Sequence, residues 1–209
     1  MDFKKIHNAR INFIKKNKEK DHVVVEGKNS VLLSAPHGVA HVRLGRLKFK
    51  EIGSLATALW LKENTDCFLI AKTKNNGDDA NFDENSIYKN IVRQLIKTHN
   101  IKYLIDIHGL AAKRECDINL GTHLGKNIEN NLKAFDELQK RLERNGFRVC
   151  IDQPFMAGSK TISGAMKNEN KGVWTLQIEI NCAITNKVEN FVKYGLLLDV
   201  LKDWIETLA

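Results

Sequence analysis

The sequence predicts an α/β fold: a sandwich with helices on both faces of a largely parallel or mixed sheet. Three observations predict it. Short apolar or β-branched runs alternate with segments of helical periodicity along the chain. No repeat, low-complexity tract or Gly/Ser-rich linker breaks the 209 residues, and proline occurs only at Pro36 and Pro154. The composition, 43% hydrophobic and 28% charged, suits one globular core. The expected organisation is a single domain over residues 1–209, with residues 1–20 as a basic N-terminal segment.

The elements follow in order. Residues 22–26 and 30–34 read as strands with a turn at Gly27-Lys28-Asn29 between them. After Glu51, the positions Ile52, Leu55, Ala56, Leu59 and Trp60 recur at helical spacing. Residues 67–71 form a buried-type strand. Ile87, Tyr88, Ile91, Val92, Leu95 and Ile96 mark a second helix, and residues 103–107 a further strand. Ile128, Leu132, Phe135, Leu138 and Leu142 give a third helix, ended near Asn145-Gly146 by a left-handed cap. Residues 147–151 and 173–180 are strands. The last helix is expected from near Asn186, with Glu189 as its capping-box partner. The run Lys15-Lys16-Asn17-Lys18-Glu19-Lys20 reads as a solvated surface turn.

The net charge of +8 favours anionic partners. Lys4, Lys5, Arg10, Lys15, Lys16, Lys18 and Lys20 form the stretch that a non-catalytic nucleic-acid-binding protein would use. Against that reading, there is no helix-turn-helix or zinc-finger signature, and basic and aromatic residues do not interleave. The apolar runs are too short to span a membrane, and Met1-Asp2-Phe3-Lys4-Lys5, followed by polar sequence without an apolar core and small cleavage residues, does not resemble a secretory signal. Cys67, Cys116, Cys150 and Cys182 stand singly, as reduced thiols of a cytoplasmic protein would. A small anionic substrate is the expected partner.

In α/β sheets, sites gather at the carboxyl ends of strands. One strand runs into Ser34-Ala35-Pro36-His37-Gly38, another into Asp106-Ile107-His108-Gly109. Either alone reads as a His in a tight turn; two such ends favour a shared site. Alternation puts Asp106 on the side of His108, where a carboxylate would orient the ring. Gln177, Glu179 and Asn181 alternate with Leu176, Ile178 and Ile180, as on any half-exposed strand. A desolvated Glu179 would nonetheless have a raised pKa, which suits a general base. Two His are too few for a catalytic zinc, which takes three protein ligands. Glu51 is the candidate third, although acids are favoured in a first helical turn anyway.

The motifs just quoted, with Glu51-Ile52-Gly53-Ser54, Gly77-Asp78-Asp79-Ala80-Asn81-Phe82-Asp83, Asn119-Leu120-Gly121-Thr122 and Gln177-Ile178-Glu179-Ile180-Asn181, resemble the N-formylglutamate amidohydrolase family in content and order. They cover residues 30–182. The family is similar to zinc carboxypeptidases and to the succinylglutamate desuccinylase and aspartoacylase enzymes. The resemblance implies a three-layer α/β/α hydrolase-like fold and one catalytic zinc per chain. It implies that His37, Glu51 and His108 bind the metal, that Asp106 partners a ligand, and that Glu179 is the base and proton shuttle. Asn81 falls where related acylases hold the substrate with an Asp-x-Asn-Arg motif. Here Phe82 stands in place of that Arg, and Ser54 stands where relatives often have Thr. Arg114 is the replacement expected to hold the substrate carboxylate and the oxyanion. Arg43, Arg46 and Lys74 are weaker candidates, better read as surface charge.

The expected activity is hydrolysis of the amide of an N-acyl (formyl-type) amino acid or small acidic peptide by zinc-activated water. A metal-dependent peptidase or esterase of the same fold is the alternative. Two His and one Glu with an open position suit zinc, and also admit manganese, cobalt or iron.

Overall fold

The computed structural model describes residues 2–208. In chain order these form α1 (Phe3–Asn17), β1 (His22–Val25), β2 (Val31–Ala35), β3 (His41–Arg43), β4 (Arg46–Lys48), α2 (Ile52–Thr65), β5 (Phe68–Lys72), α3 (Ile87–Thr98), β6 (Tyr103–Leu110), β7 (Ile118–Gly121), α4 (Leu132–Arg144), β8 (Val149–Ile151), α5 (Ile162–Glu169), β9 (Trp174–Asn181), α6 (Cys182–Thr185) and α7 (Phe191–Glu206).

Seven strands make one sheet in the order β1-β5-β2-β6-β9-β7-β8. The inner strands β5, β2, β6 and β9 are parallel. β1 is antiparallel on one edge, and β7 with β8 runs against β9 on the other. The sheet is therefore mixed and mostly parallel. Strand periodicity explains how both faces are filled. Val31, Leu33 and Ala35 of β2 and Leu69 and Ala71 of β5 enter one apolar cluster with α2, α4 and α7. Leu32, Phe68 and Ile70 point the other way, into a second cluster with α3 and α5. The stripe Tyr194, Leu197, Leu198, Leu201, Trp204 and Ile205 fixes α7 against the sheet. The Trp204 indole N–H donates to the Ala134 carbonyl at 2.9 Å. Among the described residues, no helix is long and apolar enough to cross a membrane.

The expected α/β sandwich stands, and the expected strands all form, shifted by a residue or a few at their ends. Gly146 has the positive φ of a left-handed cap, +78°. Several expectations are corrected. Lys15, Lys16 and Asn17 belong to helix α1, which packs on α2 through Ile6 and was not expected; its weak apolar stripe hid it among lysines. The third helix starts at Leu132, capped by the Asn131 side chain, so Ile128 precedes it. No capping box forms at Asn186: α6 ends there, Glu189 lies in a single 3₁₀ turn, and α7 begins at Phe191. The hairpin β3–β4, strand β7 and helix α5 were also unread, being short and largely without period.

Candidate active site

Because β2, β6 and β9 are parallel, their carboxyl ends share one edge of the sheet. His37 lies two residues beyond β2, while His108 and Glu179 sit within β6 and β9 as register partners. Glu51 occupies the N-cap position of α2 but makes no side-chain capping bond. Its carboxylate turns to the site instead, so the helix-dipole account of this acid does not explain it. Oε1 lies 3.0 Å from Nδ1 of His37, and Oε2 lies 3.5 Å from Nδ1 of His108. The two Nδ1 atoms are 3.2 Å apart. Oε2 also accepts the Gly109 backbone N–H at 2.8 Å. A Cβ on Gly109 would stand 3.1 Å from Cβ of Glu51, which is why a glycine suits this position.

The other ring nitrogens are held from behind. Nε2 of His37 faces Oδ1 of Asp79 at 2.9 Å, and Nε2 of His108 faces Oδ2 of Asp106 at 3.0 Å. An Nε2–H donated to a carboxylate leaves the Nδ1 lone pair free, so both rings are set to offer Nδ1 to one point. Four-coordinate zinc with bonds of about 2.0–2.1 Å implies ligand atoms roughly 3.3 Å apart. The 3.2 Å between the two Nδ1 atoms matches that spacing, and the Glu51 carboxylate lies 3.0 Å from one of them through Oε1 and 3.5 Å from the other through Oε2.

The charge balance also fits a cation. Glu51, Asp79, Asp106 and Glu179 converge on two imidazoles and the guanidinium of Arg43, which donates to Asp79 Oδ2 at 2.6 Å. Burial disfavours charge on both imidazoles, yet the carboxylates beside them raise His37 and hold His108 well above the ordinary value. Burial likewise disfavours the Glu51 carboxylate, but the two imidazoles keep it well below the usual range. Asp79 is depressed in the same way, with His37 and then Arg43 outweighing its burial. A set of buried acids and bases with mutually displaced pKa values marks a candidate site.

A second cluster, His37, His41 and Asp79, also has close donor atoms. It suits a metal less well. His41 stacks face to face on His37, with centroids 3.8 Å apart and planes 7° from parallel, so the in-plane lone pairs do not converge. Burial and the neighbouring His37 push His41 down to about 4. It is an uncharged ring that supports His37.

Glu179 faces a cleft of about 310 Å³, shared with His37, Glu51, Asn81 and His108. Burial pushes its carboxyl up to about 7, against the pull of the His108 charge. Gln177 donates to Oε1 at 2.7 Å. Asn119, opposite Glu179 on β7, accepts the Phe155 backbone N–H at 3.0 Å and so ties the loop after β8 over the cleft.

The structure thus brings together His37, Glu51, His108, Asp106, Asn81, Glu179 and Arg43. Asn81 is buried, and its Oδ1 accepts the Ile162 N–H at 2.8 Å, linking two cleft loops. Arg114 does not reach the cleft. The chain turns away after β6, leaving Arg114 in an exposed groove with Lys113, Glu115 and Gln153. Arg46 is exposed on β4 and Lys74 on a loop, and neither lines the cleft. Sequence reasoning did not single out Asp79, His41 or Lys160. Only Asp79 carried a signal, as part of a quoted motif.

The N-formylglutamate amidohydrolase family model matches residues 87–185, and the resemblance read from the motifs stands. No curated protein sequence matches the chain. The N-formylglutamate amidohydrolase of Ralstonia eutropha superposes with a TM-score of 0.59 at 13% identity, covering 90% of this chain and 96% of that one. A bacteriophage poly-gamma-glutamate hydrolase gives 0.59 at 12% identity, covering 91% and 92%. A metallo-carboxypeptidase of Burkholderia cenocepacia gives 0.55 at 13% identity, covering 97% and 69%. The superpositions show the shared fold, and the family-model match is to a hydrolase family.

Proposed function

We propose that the protein is a zinc-dependent amidohydrolase, built as one domain, that cleaves the amide of an N-acyl amino acid or small acidic peptide. One observation carries the reading. His37, Glu51 and His108 aim three donor atoms at one point, and Glu179 stands beside them on the next strand.

His37, Glu51 and His108 would hold the metal. Held there, a zinc-type dication would make hydroxide available at neutral pH, since it lowers the pKa of a water it binds from ~16 to roughly 7. Asp79 and Asp106 fix the tautomer of the ligand rings from behind. Glu179 accepts the proton of the attacking water and delivers it to the leaving nitrogen. Its buried setting holds the carboxyl near neutrality, where it can do both. Asn81 orients the substrate at the cleft wall. The four cysteines are free thiols, which fits a reducing cytoplasm.

Elemental analysis of the purified protein tests this reading, followed by hydrolysis assays on N-acyl amino acids. About one zinc per chain with amide cleavage is expected. A wild-type protein that neither carries nor takes up a divalent metal would overturn it.

A further inference from the structure

The resemblance leaves the substrate's carboxylate without a partner, since Phe82 replaces the arginine of related acylases. The cleft supplies one by another route. The Arg43 guanidinium lies 5.2 Å from the Phe82 ring centroid, and the Lys160 ammonium lies 5.8 Å from the same centroid. All three residues line the cleft that contains Glu179. The geometry points to Arg43 and Lys160, flanking Phe82, as the pair that recognises the carboxylate of an acidic substrate. This assignment rests on the hydrolase reading above and deepens it.

Each cation keeps free capacity. Arg43 gives its Nε–H to Asp79, and among the described residues nothing else binds its guanidinium, so the terminal nitrogens are unspent. The Lys160 ammonium has no hydrogen bond or ion pair among those residues. Cation–π attraction, about 0.5–1 kcal/mol at exposed sites, biases both heads towards one ring without neutralising either.

The two loops are also locked together. The buried Lys89 ammonium donates to the Asp83 carbonyl at 2.8 Å and the Lys160 carbonyl at 2.6 Å. It therefore ties the turn that carries Phe82 to the loop that carries Lys160. Asn81 adds its bond to Ile162.

The cleft layout sets the substrate's direction. Glu51 and Glu179 line the same cleft as Arg43, Phe82 and Lys160. A carboxylate held by Arg43 and Lys160 leaves the scissile amide to the metal-ligand residues and Glu179.

The test is calorimetric binding to the zinc-loaded Glu179→Gln protein, which should not turn over its ligand. The probes are N-acetylglutamate and its uncharged diamide. Lys160→Ala and Arg43→Gln should each weaken N-acetylglutamate on the order of 10-fold or more, the value of a lost charge-assisted hydrogen bond. Affinity for the diamide should stay unchanged, and Lys160→Arg should retain most of the acid preference. Equal weakening of both probes, or of neither, overturns the carboxylate assignment while leaving the hydrolase reading in place. If the loaded parent protein binds neither probe, the assignment and the N-acyl amino acid reading fall together. Lys160 is exposed, so its loss should leave the fold intact.

Discussion

His37 and His108 present their Nδ1 atoms to each other at 3.2 Å, while each Nε2 is held by its own buried aspartate. Two imidazoles do not approach in this way for packing alone, since two facing lone pairs repel unless a proton or cation lies between them. Removing either ring should therefore remove the ion. His37→Ala and His108→Ala should reduce the metal content of the purified protein from about one per chain towards background. Elemental analysis measures it, and normal zinc in either variant would contradict the assignment.

Glu179→Gln separates binding from chemistry. It keeps shape and size but cannot accept a proton. Metal content should stay at the wild-type level while turnover falls by roughly 100- to 10,000-fold, the usual contribution of a general base. Substantial turnover in the metal-loaded variant would remove Glu179 from that role.

Asp106→Asn tests the support behind the proposed ligand His108. The Asp106 carboxylate touches the His108 ring at 3.0 Å, and its other oxygen has no partner in the described structure. Losing the negative charge lowers the basicity of the ring. Metal affinity should fall roughly 10- to 100-fold, measured by competition with a chelator.

The two candidate histidines were legible in the sequence for a simple reason. His37 just beyond β2 and His108 near the end of β6 each have Gly next to them, and such ends meet whenever the strands are parallel neighbours. Glu179 was legible because it lies near the end of an apolar strand and the resemblance marks it; the structure pairs it in register with His108. Asp79 and Lys160 were not, because irregular loops bring them in from 42 residues after His37 and 52 residues after His108, and no period marks a loop. Arg114 illustrates the opposite error. It is close to His108 along the chain but lies beyond the point where β6 ends and the backbone turns away. Arg43 is carried to the cleft by the small hairpin β3–β4, whose Leu44-Gly45 turn has two positive φ angles.

Asp117 offers a stability test away from the site. Burial pushes its carboxyl up, but the Arg148 backbone N–H and the Lys193 ammonium, both at 2.9 Å, hold it below the ordinary value. A depressed folded-state pKa contributes stability above the unfolded value, about 3.9, and that contribution is lost as pH falls through the folded value. Asp117→Asn should therefore unfold at lower urea than wild type at pH 7. The gap should close as the pH is lowered below about 3; a gap that persists in acid would refute the linkage.

Leu198→Ala should act on the fold alone. The side chain is fully buried in the cluster between α7 and the sheet. Its truncation should cost about 2–5 kcal/mol, seen as a lower urea midpoint at unchanged slope, with metal content intact.

The ladder between β6 and β9 runs unbroken from Tyr103↔Trp174 to Leu110↔Asn181 and places His108 opposite Glu179. His108 and Glu179 therefore inherit the stiffness of eight paired positions at a strand spacing of about 4.8 Å. Arg43, Phe82 and Lys160, assigned above to substrate recognition, ride on a hairpin and two loops. On the proposed function, bond breaking and substrate choice reside in different parts of the architecture. Exchanging one substrate for another would then need only rewritten loops, with the strand ladder unchanged.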